Sequence, residues 1–361
     1  MNIDFANLGK QYQLYKDEID NAIANVINNS SFVMGEDVGL LESELADFCG
    51  AKYCIACSSG TDALQLALMA IDIKPGDEVI TTPFTFIATA EMIAHLGAKP
   101  VFVDIDEHTY NMDVSKIENA ITSKTKAIIP VSLYGQCADM DEINALAGKY
   151  KLVVIEDGAQ SFGADYKDKK SCNLSDIGCT SFFPAKPLGC FGDGGAVFTN
   201  DDQLASKIKS LRVHGQTKRY HHKYIGIGGR LDTIQAAVLR VKLKDYTAEI
   251  KRRQKVAHSY NEALSGKDII LPSVKQDRDS VWAQYSIRAS SRDSLQEKLK
   301  NAGIPTAIHY PLPLHLQECF SYLGYKNGDF PIAEMVSKGI LSLPMNGFLG
   351  IAEIEYIANI L

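Results

Sequence analysis

From residue 51 to about residue 240, short apolar runs bounded by turn residues alternate with segments of helical period. YCIAC precedes TDALQLALMA, EVITTPFTF precedes ATAEMIAHLG, PVFVDI precedes VSKIENAI, and AIIPVSLYG precedes MDEINALAGKY; LVVIED, CTSFF and GAVFTN follow, the last leading into DDQLASKIKSL. This alternation predicts an open, largely parallel sheet with helices on both faces. The runs are apolar throughout, the pattern of strands buried on two sides. Ligands of such sheets bind beyond the carboxyl ends of the strands. The polar groups collect there: SSGTD after YCIAC, TTPFTF at its strand end, EDGAQ after LVVI.

Near residue 250 the pattern changes. YTAEIKRRQKVAHSYNEAL is a charged amphipathic helix, and isolated strand candidates (DIILPS, VWAQYSIRA), a helix (DSLQEKLKNAG) and a Pro-rich turn region (IPTAIHYPLPLH) follow it. The organisation read from this is a large domain over 1–250, opening with a helical N-terminal arm, and a smaller C-terminal α/β domain over 251–361.

Composition narrows the function classes. A chain of 361 residues, 46% hydrophobic and 22% charged, suits a soluble protein of about two domains. Its net charge of −7 gives no basic field for nucleic acid or a membrane surface, so an anionic substrate must be met by local groups. The eight cysteines are scattered and read as reduced thiols of a cytoplasmic protein. Cys54 and Cys57 form a CxxC without a second pair or clustered histidines, so no metal site is expected. No basic leader opens the chain, and no apolar run is long enough to span a bilayer.

The chemistry centres on Lys186, in SFFPAKPLGCFGDGGAVFTN. Flanked by aromatics, Pro and Gly, it is unlike a solvated helix-face lysine, and desolvation would lower its amine pKa toward that of a usable nucleophile. Asp157 ends the apolar run LVVI, where a carboxylate can pair with a pyridinium nitrogen. A lysine and an acid so placed are the two protein groups that a pyridoxal 5′-phosphate enzyme requires. In SSGTDAL a helix start offers free N–H groups to a phosphate. Gly60 lets the backbone approach, and Thr61 and Ser181 add hydroxyls; simple N-capping by Ser59 or Thr61 competes for the same turn. Phe86 lies just past a strand, where its ring stacks on the pyridine or packs in the core. Gln160 is placed to hydrogen-bond the ring 3′-oxygen, while Asp157 taken alone equally suits a turn cap.

In order along nearly the whole chain, FVMGEDVGLLE, GTDAL, PFTFIATAE, PVFVDID, IIPVSLYGQ, IEDGAQSFGA, SFFPAKPLGCFGDGGA, RVHGQ and RLDTIQAAVL resemble the motifs of the DegT/DnrJ/StrS nucleotide-sugar aminotransferases. The EDxAQ and SFxxxK elements at this spacing are its most specific part. The resemblance implies an α/β protein of the fold type I, aspartate aminotransferase-like class, with a mostly parallel mixed sheet between helices in the large domain, and pyridoxal 5′-phosphate as cofactor. It makes Lys186 the Schiff-base lysine and proton shuttle, Asp157 the partner of the pyridine nitrogen and Gln160 that of the 3′-oxygen. It puts Gly60, Thr61 and Ser181 at the phosphate, with Asp62 in the same cofactor turn, and Phe86 over the ring. Arg230, His309 and Tyr310 fall around the sugar.

YGQCADMDEINA, KKSCNLSDIGCTSFFPAKPLGC, RYHHKY and PTAIHYPLPLH further resemble members that aminate C3 of UDP-2-acetamido-2-deoxy-3-oxo-glucuronate. That implies L-glutamate as donor, 2-oxoglutarate as product, a diacetamido uronic acid for surface polysaccharide such as O-antigen, and a cytoplasmic homodimer with shared sites. The segment RYHHKYIGIGGRLD is then expected to cross to the partner. Arg230 is the expected local positive charge for an anionic sugar, with His309 adding a second when protonated. Two departures stand out. Gly228 occupies the place of the usual phosphate-reaching Asn, so that side-chain contact is lost. Gly158 stands where Ala or Cys is more usual, a change expected to be harmless. A C3 or C4 aminotransferase for another keto nucleotide-sugar and a cofactor-binding regulatory protein are the alternatives; a nicotinamide dehydrogenase is rejected because the glycines of GCFGDGG precede a strand.

Overall fold

The computed structural model describes residues 3–361. Its strands are β1 (Tyr53–Cys57), β2 (Glu78–Thr81), β3 (Lys99–Phe102), β4 (Thr125–Ile128), β5 (Val153–Asp157), the short pair β6 (Asp165–Tyr166) and β7 (Lys169–Lys170), β8 (Ile177–Ser181), β9 (Gly195–Thr199), the pair β10 (Gln216–Lys218) and β11 (His221–His222), β12 (Tyr285–Arg288) and β13 (Ile340–Leu343). The helices are α1 (Leu8–Asn28), α2 (Glu36–Cys49), α3 (Gly60–Ala70), α4 (Ala88–His95), α5 (Val114–Ala120), α6 (Met140–Tyr150), α7 (Asp202–Leu211), α8 (Thr233–Leu243), α9 (Tyr246–Ala263), α10 (Arg292–Asn301), α11 (Pro331–Gly339) and α12 (Ile351–Ile360).

Seven strands form the main sheet in the order β1-β9-β8-β5-β4-β2-β3. Parallel pairing runs from β8 through β5, β4 and β2 to β3, and β9 is antiparallel to both its neighbours. The sheet is therefore mixed and mostly parallel. Its strands are sealed on both faces, with Leu41, Leu45, Ala56, Ile128 and Leu239 on one side and Ile55, Leu66, Ile93, Ile129 and Val197 on the other. Each fully buried aliphatic side chain of this kind contributes about 1.5–3 kcal/mol relative to exposure.

Local sequence sets the joints. Ser59 accepts a hydrogen bond from the Asp62 N–H and starts α3, and Asp201 does the same for Gln203 and Leu204 at α7. α2 stops at Gly50, whose φ of 71° a side chain would strain. Because β9 returns antiparallel, the carboxyl ends of β1 and β8 and the start of β9 meet at one edge, with Gly195 opposite both Cys57 and Ser181.

A second core gathers Tyr260, Tyr285, Ile287, Leu299, Leu341, Leu343 and Ile357 around the antiparallel pair β12 and β13. The Tyr260 and Tyr285 rings stack there with centroids 4.6 Å apart. The candidate strand DIILPS supplies only an isolated bridge, Ile270 to Arg288. α9 serves both cores: Tyr246 near its start donates to the Phe162 carbonyl at 2.6 Å, and Tyr260 near its end belongs to the second core. A third cluster joins the two bodies, with Phe84, Tyr110 and Tyr134 from one and Leu314, Phe320, Phe330 and Ile340 from the other.

The eight cysteines are free, seven of them buried, and burial pushes thiols such as Cys57 up to about 12. Among the described residues no group of three or more His, Cys, Asp or Glu is arranged to hold a metal, and no helix is long and apolar enough to cross a membrane.

Candidate active site

The edge where β1, β5 and β8 end carries the chemistry. Asp157 closes β5 and is 5% exposed. Its carboxylate accepts hydrogen bonds from the Thr89 hydroxyl at 2.7 Å and from the Ala159 N–H at 3.1 Å. Burial pushes its pKa above the ordinary carboxylate value, while Thr89, Ala159 and the field of Lys186 oppose the rise. Neither hydrogen-bond donor is a cation, so this buried acid has room for a positively charged partner.

Lys186 sits in the loop between β8 and β9. Its N–H donates to the Phe183 carbonyl at 2.8 Å and the Cys190 N–H to that of Phe182 at 2.8 Å, which closes the loop on itself. A Cβ at Gly189 would lie 2.4 Å from the Pro184 oxygen, so the closure requires glycine there. The residue is half-buried and opens partly to the cleft. Desolvation lowers the amine to about 8, against the pull of Asp157.

Gln160 is clamped at both ends of its amide. The Tyr134 N–H donates to Oε1 at 2.8 Å, and Nε2 donates to the Tyr310 hydroxyl at 3.1 Å. One Nε2 hydrogen remains for a ligand. Tyr310 packs 6.3 Å from Phe86 and 5.8 Å from His309, centroid to centroid. Phe86 is 55% exposed, so its ring faces the cleft instead of the core.

The turn before α3 is built for close approach. A Cβ on Gly60 would stand 2.6 Å from that of Ser181. With Ser59 capping Asp62, the Gly60 and Thr61 N–H groups have no intrahelical acceptor. The Asp62 carboxylate is turned to the Ser58 hydroxyl. Arg230 follows Gly229, whose carbonyl accepts from the Ser58 N–H at 3.1 Å, so its segment borders this turn. No hydrogen bond links Arg230 to His309 or Tyr310 within the chain.

One expectation changes, and two glycines gain a physical reason. His309 is not a second cation: burial and the nearby Lys186 lower its pKa to about 4, so the ring is neutral at physiological pH. At Gly228 an added Cβ would meet the His214 ring at 3.0 Å and 3.2 Å, a tight contact that requires the ring to shift. At Gly158 a Cβ would lie 2.6 Å from the Cys172 sulfur, so glycine suits the space that this chain leaves there. Sequence reasoning passed over Thr89, Tyr134, and the serines Ser342 and Ser286 behind His309. Of these only Thr89, a polar residue in the otherwise apolar start of α4, left a trace in the pattern.

Pyridoxal 5′-phosphate fits this donor set. A buried acid without a cationic contact, an amine lowered to about 8, an amide with one free N–H and a glycine-tight turn with free N–H groups converge on one cleft.

Comparison with known proteins gives the family. The model of the DegT/DnrJ/EryC1/StrS aminotransferase family matches residues 13–361. The chain is 53% identical over 355 residues to the UDP-2-acetamido-2-deoxy-3-oxo-D-glucuronate aminotransferase of Pseudomonas aeruginosa, covering 98% of each. It is 43% identical over 359 residues to the UDP-N-acetyl-3-dehydro-alpha-D-glucosamine 3-aminotransferase of Acidithiobacillus ferrooxidans, covering 99% of this chain and 97% of the relative. The solved NtdA of Bacillus subtilis with bound cofactor PMP has a TM-score of 0.91 at 30% identity, over 99% of this chain and 84% of that one.

Proposed function

The chain belongs to the DegT/DnrJ/EryC1/StrS family of pyridoxal phosphate-dependent aminotransferases, and we propose that it moves the amino group of L-glutamate to C3 of UDP-2-acetamido-2-deoxy-3-oxo-glucuronate. The observation that carries the substrate is the 53% identity to the P. aeruginosa enzyme across 98% of both chains. The product is an amino uronic sugar of the kind used in surface polysaccharide, made in the cytoplasm.

The cofactor supplies an aldehyde carbon that carries the amino group between substrates and a ring that takes up the electron pair of the breaking bond. The protein's share is binding, orientation and proton movement. The Gly60 and Thr61 N–H groups with the Ser181 hydroxyl would hold the phosphate, Phe86 would face the ring, and the free N–H of Gln160 would serve the 3′-oxygen. Asp157, kept in place by Thr89, would pair with the ring nitrogen. Lys186, as a neutral amine, takes the proton from the α-carbon of glutamate and in the second half delivers one to C3 of the sugar. Glutamate leaves as 2-oxoglutarate before the sugar is aminated, so the kinetics are ping-pong.

Since His309 is neutral, the carboxylate of the sugar falls to Arg230, which we place at the site of a second copy in a homodimer. Exposed apolar residues favour such a face: Phe183 and Phe191 flank the Lys186 loop, and Val33 pairs with Asp232 close to Arg230. A second reading, the uncharged 3-keto UDP-N-acetylglucosamine, draws on the absence of an arginine contact to His309 and Tyr310 within one chain and on the A. ferrooxidans relative.

The test is spectroscopic. The purified yellow protein should bleach with L-glutamate and regain its colour with the 3-keto uronate much faster than with the uncharged sugar. The opposite preference would select the second reading. Sedimentation of a fully active monomer would contradict the shared site.

A further inference from the structure

A second buried lysine lies outside the reaction. Lys242, in the last turn of α8, is 4% exposed. Its ammonium donates to the Gly189 carbonyl at 2.6 Å and to Gln11 Oε1 at 2.8 Å, and it lies 4.8 Å from the centre of the Phe191 ring. Neither oxygen carries a charge. The carboxylate whose field reaches it, Glu249, is paired with Arg252 and Arg253. Burial accordingly lowers the amine to about 8. Filling this space needs no charge, since an apolar side chain of similar length packs without the cost of desolvating an ammonium. What such a side chain lacks is a donor for the carbonyl of Gly189.

That carbonyl belongs to the loop of Lys186, three residues further along. The bonds from Cys190 to Phe182 and from Lys186 to Phe183 close the loop on itself, but they do not set its angle to the rest of the protein. α8 does. Phe182, Leu188 and Cys190 share a core with Leu239, the Phe191 N–H donates to Gln235 Oε1 at 2.8 Å, and Lys242 holds Gly189. Gln11 extends the last tie to α1, where Tyr12 packs edge-on against Phe191 with ring centres 5.8 Å apart.

We propose that Lys242 is a positioning residue for Lys186: its tie to the Gly189 carbonyl sets the place of the loop, and with it the approach of the Lys186 nitrogen to the cofactor aldehyde. This rests on the reading of Lys186 as the lysine that captures the cofactor. In that capture the Lys186 nitrogen bonds to the aldehyde carbon and the aldehyde oxygen leaves as water.

The full-length chain freed of cofactor separates position from fold. Lys242→Met should capture pyridoxal phosphate about tenfold more slowly, since a 1 Å misplacement costs up to about a hundredfold. Pyridoxamine phosphate, which forms no bond to Lys186, should bind with unchanged affinity. Lys242→Gln, which keeps an N–H donor without the charge, should fall between Lys242→Met and the wild type. In hydrogen exchange, the Lys186 and Cys190 amides of Lys242→Met should exchange about tenfold faster, with those of β8 unchanged. Val238→Ala loosens the same packing of α1 on α8 without touching the loop, and should capture at the wild-type rate. Equal capture rates in Lys242→Met and the wild type overturn the proposal. So does an equal loss of pyridoxamine phosphate affinity, or slowing of the same size in Val238→Ala, either of which makes Lys242 a packing residue only. Should Lys242→Met fail to fold, Lys242→Gln carries the same comparisons. Borohydride trapping of the wild type at another lysine sinks the reading of Lys186 itself, and the proposal with it.

Discussion

Gly158→Ala tests how tightly the acid strand is seated. The Cβ it adds would lie 2.6 Å from Cys172 Sγ, 3.0 Å from Ser171 Oγ and 3.2 Å from the Cys179 oxygen. Neither side can easily give. The Gly158 N–H is committed to the Cys179 carbonyl at 2.8 Å, and its own carbonyl accepts from the Thr180 hydroxyl at 3.1 Å. Cys172 is held by its N–H on Glu156 Oε2 at 2.7 Å, and its carbonyl would be 2.3 Å from a Cβ at Gly178. Overpacking of this kind costs about 1–3 kcal/mol, and one short sulfur contact with two tight ones points to about 2 kcal/mol by the same rule. Cys172→Ala removes the sulfur and should itself cost about 1 kcal/mol. In the double variant the new methyl takes up part of the vacated space, so the two losses should fall short of their sum by about 1 kcal/mol or more. Urea unfolding of the four apoproteins gives the cycle from midpoints and slopes. A Gly158→Ala protein within about 0.5 kcal/mol of wild type, or strict additivity, would refute the wedge.

Other expectations concern the cleft. Lys186→Ala should abolish turnover while the cofactor still binds through its phosphate turn, and borohydride should trap the cofactor only on the peptide containing Lys186; trapping elsewhere refutes its role. A lysine lowered to about 8 becomes neutral as pH rises toward that value. Covalent capture of pyridoxal phosphate by the apoprotein should therefore rise about tenfold per pH unit below it and level off above; a rate that keeps climbing toward the ordinary lysine range would show the amine to be unshifted. Arg230→Ala should lower kcat/KM for the uronate by about 2 kcal/mol, roughly thirtyfold, and much less for the uncharged sugar, with cofactor loading unchanged. Equal losses with both sugars would place Arg230 at the diphosphate or the cofactor.

What the sequence makes legible follows a physical divide. Asp157, Gln160 and Lys186 stand out as candidates because each lies in a local segment whose chemistry is unusual for its setting, an acid at a buried strand end or a lysine among aromatics. The direction of β9 does not, since GAVFT is apolar on both faces whichever way it runs. Phe86 resembled a core aromatic and lies exposed, because the turn after β2 carries it out of the sheet. The charge of His309 depends on burial by distant segments, and Ser286 and Ser342 meet it only through strand pairing. The crowding around Gly158 was not legible, because Cys172 comes from the loop before β8.

The two-body construction has one more consequence, for the way the protein breathes. Lys186, Asp157, Gln160 and the turn at Gly60 all belong to the seven-stranded body, whereas His309 and Tyr310 arrive from the chain beyond α9. A ligand stabilises only those openings that destroy its site. On the roles proposed above, cofactor contacts of the first set should slow amide exchange in the strands around β5 and β8 and have little effect on openings between the two cores. A sugar that touches both sets penalises those openings as well. Protection against exchange is then acquired in two stages, first within the sheet and afterwards at the seam marked by Phe84, Tyr134 and Phe330.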